Sequence, residues 1–188
     1  MSAKRQHLVD TAIELFSAHG YHGTGINRIA EEAKVSKKTM YHHFRSKEEL
    51  ILAALRHQDG RFRNEFMKAV DKGGETAYER LLGIFDVAHA WFSDNNFYGC
   101  MFINAIGEYA GSDTAIREVC KEYKRQTLSY IEELAGAANI PDASAVAASI
   151  AMLLEGSIVT AQVSGTPNAA ETAKLAAKVI VDSALSKS

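Results

Sequence analysis

Between Thr24 and Lys47 the chain carries two short helical patterns separated by a few residues, and this arrangement restricts the fold more than any other feature. Ile26, Ile29, Ala30 and Ala33 recur at helical spacing, with Arg28, Glu31 and Glu32 on the other side. Ala33-Lys34-Val35-Ser36 breaks the pattern, and Ser36 is a suitable N-cap for a second helix, Lys37-Lys38-Thr39-Met40-Tyr41-His42-His43-Phe44. Met40 and Phe44 stand four apart and can pack inward, which leaves Lys37, Lys38, Thr39, Tyr41, His42 and His43 largely outside. A basic helix of this kind fits the major groove of duplex DNA.

The rest of the chain must supply a core without strands. In 188 residues there are only two prolines, many alanines and no sustained alternation of β-branched residues, so an all-α fold is expected. With 47% hydrophobic and 9% aromatic residues the chain is folded, and long enough for one sizeable core or two small ones. The net charge of −2 is unevenly spread. Residues 1–47 hold eight basic against four acidic side chains, +4, and the remainder 13 against 19, −6. A basic head on an acidic body concentrates attraction for phosphate at one end.

Several classes of function are disfavoured. Ser2 to His7 leads into an amphipathic pattern without the apolar block of a signal peptide, so a cytoplasmic protein is expected. The longest apolar stretch, 143–163, is interrupted by Ser144, Ser149, Glu155, Gly156, Ser157, Thr160 and Gln162, and no membrane partner is expected. Cys100 and Cys120 make neither a disulfide framework nor a zinc-ligand set. No glycine-rich phosphate loop, metal cluster or Ser/His/Asp set stands out, so neither catalytic residues, metal nor cofactor are expected.

The helices can be laid out in order. The first runs from about Lys4 to His19, with Leu8, Val9, Ala12, Leu15 and Phe16 inward and Gly20 as its stop. A long helix begins near Ser46, where Ser46-Lys47-Glu48-Glu49 reads as a capping box, and reaches about Val70. Lys72-Gly73-Gly74-Glu75 is a turn. The next helix, near 76–93, is followed by an apolar segment from Phe97 to Tyr109, a turn at 111–113, and a helix capped by Asp113 that extends to about Gly136. The last two helices are alanine-rich, one from Asp142 to about Val163 and one opening at a second capping box, Asn168-Ala169-Ala170-Glu171.

His19-Gly20-Tyr21, Thr24, Ile29-Ala30, Val35-Ser36, Thr39 to Phe44 and Ser46 to Leu50 together resemble the N-terminal signature of the TetR/AcrR family of transcriptional repressors. The resemblance covers about the first third of the chain. Two positions depart from it: Lys34 stands where a turn glycine is common, and Gly25 where a second hydroxyl is common. It implies a three-helix helix-turn-helix DNA-binding domain over residues 1–47 and a helical effector-binding and dimerisation domain over 48–188, about nine helices in all. It also places Tyr41 and Lys47 beside the DNA backbone. The expected DNA-binding set is Thr24, Arg28, Ser36, Lys37, Lys38, Thr39, Tyr41, His42 and Lys47, with Lys37, Lys38 and Thr39 nearest base edges and Thr24, Tyr41, His42 and Lys47 nearest phosphates.

Two further surfaces follow. The final helices offer more apolar surface than one pair can bury, which predicts a two-fold four-helix interface including Ala147, Ile150, Leu154, Ala173, Ala176 and Ile180. TetR-like proteins pair in that manner. Phe85, His89 and Phe92, with Phe102, Ile103, Asn104, Ile106 and Glu108, have the composition of a pocket for a small apolar effector bearing one or two polar groups. The expected protein is thus a homodimeric regulator that binds double-stranded operator DNA and is released from a near-palindrome by such an effector. The alternatives are a redox-sensing regulator using Cys100 or Cys120, and a helical ligand-binding protein that never engages DNA.

Overall fold

The computed structural model describes residues 2–109, 111 and 114–186, apart from the side chain of Thr114. Among the described residues there are nine helices and no strand: α1 Ala3–His19, α2 Ile26–Glu32, α3 Lys37–His43, α4 Lys47–Gly73, α5 Ala77–Phe92, α6 Met101–Tyr109, α7 Thr114–Ala137, α8 Ala143–Ser164 and α9 Asn168–Leu185. The all-α expectation therefore holds. The turn expected at 111–113 and its Asp113 cap lie largely outside the described residues.

Local chemistry explains most of the helix ends. The Ser2 hydroxyl accepts from the Arg5 amide at the start of α1, and Gly20, at φ 75°, ends it with its N–H bonded to the Phe16 carbonyl. At the start of α4 the Ser46 hydroxyl accepts from the Glu49 amide at 3.2 Å, while the Glu49 carboxylate takes the Arg45 amide at 2.7 Å. A full capping box beyond those expected, Thr76 with Glu79, opens α5. The two backbone bonds from Thr76 and Glu75 hold the Glu79 carboxyl below its usual range. The box expected at Asn168 does not form: Asn168 is already helical, and the N-cap, Pro167, makes no side-chain cap bond. Glu171 turns instead toward His89, 3.5 Å away.

The described residues divide into two compact units. One comprises residues up to Phe62 together with Cys100–Tyr123, the other Arg63–Gly99 with the residues from Lys124 onward. This differs from the division at residue 47. Leu50, Ile51, Ala54 and Leu55 of α4 are fully buried and belong with the first unit, so the core of the head continues through the first turns of that helix. The segment around α6 joins the same unit through bonds to the α1–α2 turn. Within the first unit Leu8, Phe16, Tyr21, Ile29, Met40 and Phe44 are buried almost completely.

In the second unit α5, α8 and α9 pack on one another. Ala147, Ile150, Leu154, Ile158 and Ala161 form the buried face of α8, and Ala170, Ala173, Ala177 and Val181 that of α9. Small side chains at steps of three and four let the two backbones approach closely. Lys174 to Asp86 at 2.6 Å and Tyr78 to Asp182 at 2.7 Å tie α5 to α9 at the surface. By length and composition α8 could cross a membrane. Its Glu155 nonetheless pairs with Lys124 at 3.0 Å, and one of its faces packs on α5 and α9.

Candidate nucleic-acid interface

The turn between α2 and α3 is made by a left-handed lysine. Lys34 has φ 52°, its N–H reaches the Glu31 carbonyl at 3.0 Å, and the Val35 N–H reaches the Ala30 carbonyl at 3.0 Å. A side chain in this conformation carries a steric cost that glycine would not. Ser36 then caps α3, accepting from the Thr39 amide at 3.0 Å, with the two hydroxyls 2.8 Å apart. The Ser36 side chain is thus committed to the helix start before it can serve anything else.

From that cap the seven residues of α3 present a divided surface. Met40 and the following Phe44 are fully buried, with the Arg5 guanidinium 4.7 Å from the Phe44 ring centroid. Lys37, Lys38, Tyr41 and His42 are exposed, while Thr39 and His43 are half-buried. Lys37 and Tyr41 share one side of the helix and Lys38 and His42 the adjacent one, each pair one turn apart. Four donor-bearing side chains therefore project from a helix whose opposite side is anchored in apolar core. Arg28 is exposed on α2, 2.7 Å from His19 Nε2, and Lys47 is half-buried in the first turn of α4.

Thr24 is corrected by the structure. It is fully buried, and its hydroxyl lies 2.7 Å from the Gly20 carbonyl and 3.2 Å from the Leu15 carbonyl. Its single proton is spent inside the α1–α2 turn, so it is no phosphate ligand. Gly25, the N-cap of α2, supplies no side chain. The first turn of α2 has no side-chain cap.

The residues expected around an effector are divided between the two units. Phe85 and Phe92 are buried in the second unit, Phe92 5.0 Å from the Phe97 ring, and His89 is half-exposed beside Glu171. Phe102 is buried in the first unit and stacks on Tyr123 with centroids 3.8 Å apart, while Ile103, Asn104 and Ile106 are half-buried there. Glu108, expected to add polarity beside Asn104, is spent on backbone amides of the α1–α2 turn. A further polar atom lies outside the expected set. Gln58 Oε1 on α4 is buried without a hydrogen-bond partner, one turn before Phe62, whose ring lies 6.5 Å from Tyr123. A glutamine on a helix gives no sequence signal that its acceptor will be left unpaired.

Four of the six residues expected at a dimer interface, Ala147, Ile150, Leu154 and Ala173, are buried within the chain itself, and Ala176 and Ile180 are half-buried. These side chains are consumed by packing within the second unit, where α5, α8 and α9 meet. The large apolar side chains these helices leave exposed are Met152, Val159 and Val163 on α8 and Leu175 and Val179 on α9, from 42% to 83% exposed. Cys100 and Cys120 are buried thiols. Burial holds the Tyr21 phenol well above its usual range, with the two cysteines adding to the effect.

Comparison with known proteins fits this geometry. Residues 8–54 match the family model described as bacterial regulatory proteins, tetR family, and residues 77–177 match the tetracyclin repressor-like C-terminal domain. The HTH-type transcriptional regulator RutR of Escherichia coli strain K12 is 45% identical over 56 residues, 30% of this chain and 26% of its own. An HTH-type regulator of Bacillus subtilis strain 168, YuxN, is 34% identical over 86 residues, 45% of this chain and 30% of its own. The matched segment thus spans less than a third of either relative. A TetR-family transcriptional regulator from Streptomyces coelicolor superposes with a TM-score of 0.88 at 26% identity, covering 96% of this chain and 95% of its own.

Proposed function

The chain belongs to the TetR family of bacterial regulatory proteins, and from that premise we propose that it is a cytoplasmic homodimeric repressor whose two α3 helices read successive major-groove faces of a near-palindromic operator. It is a transcriptional regulator and not an enzyme. The observation that carries the DNA reading is the exposed Lys37, Lys38, Tyr41 and His42 face of α3 above buried Met40 and Phe44. Lys37 and Lys38 are the base-reading candidates and Tyr41 and Lys47 the phosphate contacts. Dimerisation is assigned to the exposed Met152, Val159, Val163, Leu175 and Val179, because an unpartnered apolar stripe on two adjacent helices suits a self-complementary four-helix contact.

The effector reading is supported by Gln58. An unpaired buried acceptor is costly, and a small apolar molecule with one hydrogen-bond donor would satisfy it beside the Phe62, Phe102 and Tyr123 rings. An effector that favours another spacing of the heads lowers operator affinity by shifting the population.

Selection of duplexes from a random pool with the full chain tests this. The expected product is a two-fold sequence with half-site centres about 34–36 Å apart, or a multiple, bound with strong salt dependence. Failure to enrich any sequence, with no salt-dependent binding to duplex DNA, overturns it.

A further inference from the structure

The connection from α1 to the reading helices is gripped by a helix outside the helix-turn-helix motif. Glu108, near the C-terminal end of α6, accepts the Tyr21 amide at 2.8 Å on one carboxylate oxygen and the His22 amide at 2.6 Å on the other. His22 Nδ1 lies 3.3 Å from the second oxygen. At the opposite end of α6 the Met101 carbonyl accepts the buried Tyr21 hydroxyl at 3.0 Å. Met101 and Glu108 are separated by about 10 Å along the helix axis at the ordinary rise per residue. One tyrosine–histidine pair is therefore held by both ends of α6. The rings of Tyr21 and His22 also meet Tyr109, at 6.1 and 4.8 Å.

The backbone is shaped to admit the carboxylate. Gly20 precedes the pair at φ +75°, and a Cβ there would stand 3.0 Å from a Glu108 carboxylate oxygen. A carboxylate bonded to two successive amides makes charge-assisted bonds, stronger than neutral ones. Such bonds tolerate little displacement, because they are lost once the heavy atoms separate beyond ordinary hydrogen-bond range.

From this geometry we infer that Glu108 is a positioning residue for DNA recognition: its carboxylate fixes the α1–α2 turn and so the entry into α2 and α3, and operator affinity depends on that carboxylate. The inference rests on the DNA reading above.

The test uses the full chain with Glu108→Ala and Glu108→Gln, and Thr76→Ala, which weakens a helix cap in the other unit, as a control. Amide exchange at Tyr21 and His22, read without DNA, accelerates about tenfold or more in Glu108→Ala, and operator affinity falls by a similar factor. Glu108→Gln, which keeps a carbonyl acceptor for one amide, is intermediate in both. Thr76→Ala changes neither. If Glu108→Ala does not fold, the glutamine variant carries the test by itself, and wild-type exchange and affinity there overturn the inference. Faster exchange with unchanged affinity also overturns it. A wild-type chain that selects no duplex overturns the DNA reading itself, a separate result.

Discussion

The α2–α3 pair and the α8–α9 pair are both two helices joined by a short connection, yet they are held by different forces. The reading helices have seven residues each, too short to persist by propensity. A few directional bonds place them: the Ser36 cap, the Thr24 hydroxyl in the preceding turn and the Glu108 carboxylate. The last two helices have 22 and 18 residues, pack along an alanine seam, and still leave large apolar side chains exposed. Directional bonds give a surface whose position depends on each of a few groups. A seam of small side chains gives a rigid pair with apolar surface to spare.

Charge placed in the seam or on the stripe separates those two roles most sharply. Ala147→Glu puts an unpaired charge on the buried face of α8 and is expected to cost about 3–5 kcal/mol, unfolding the second unit by circular dichroism. Val163→Glu, at a site 83% exposed, should leave the chain folded but monomeric by sedimentation. A folded dimer in that variant would remove the stripe from the interface. In the head, Phe44→Ala is expected to cost about 3–5 kcal/mol, seen as loss of operator binding with α8 and α9 still protected from exchange.

Smaller changes test the directional side. Lys37→Ala or Lys38→Ala should relax preference at one half-site position by about 1–3 kcal/mol, measured across operator variants. Tyr41→Ala and Lys47→Ala should weaken all duplexes alike, and the logarithmic salt slope should become shallower by about 0.9 for each phosphate that is no longer neutralised. Thr76→Ala is expected to cost about 1 kcal/mol through its cap. Because the cap bonds lower the folded pKa of Glu79, its contribution is present above the unfolded carboxyl range, near pH 4.5, and is lost as pH falls through the lower folded value. Thermal melts of wild type and Glu79→Gln should therefore converge in acid. The smallest effect belongs to Lys34→Gly, which relieves a left-handed lysine but adds unfolded-state entropy, a net gain below about 1 kcal/mol.

Much of the fold is readable in the residues because caps and periodicities are local. Ser36 as a cap, Met40 and Phe44 inward, Lys37 and Lys38 outward and the stop at Gly20 each depend on neighbours within four positions. Expectation and structure part where a residue has more than one local use. Asn168 followed by Glu171 has the spacing of a capping box, yet Glu171 turns to His89 on another helix. Thr24 has the hydroxyl of a phosphate ligand, but the Gly20 carbonyl claims its proton.

What the sequence by itself determined was the helical class, the location of α3 and its division into buried and exposed sides, since these follow from spacing along one chain. What only the tertiary structure decided was partnership across distance. Glu108 reaches Tyr21 and His22 over more than eighty residues, Gln58 is left with an unpaired acceptor, and the alanines of α8 and α9 are spent on packing within the second unit, leaving Met152, Val163 and Leu175 exposed. Periodicity fixes the direction a side chain leaves its helix. Which group it meets depends on packing, and packing is settled by the whole chain at once.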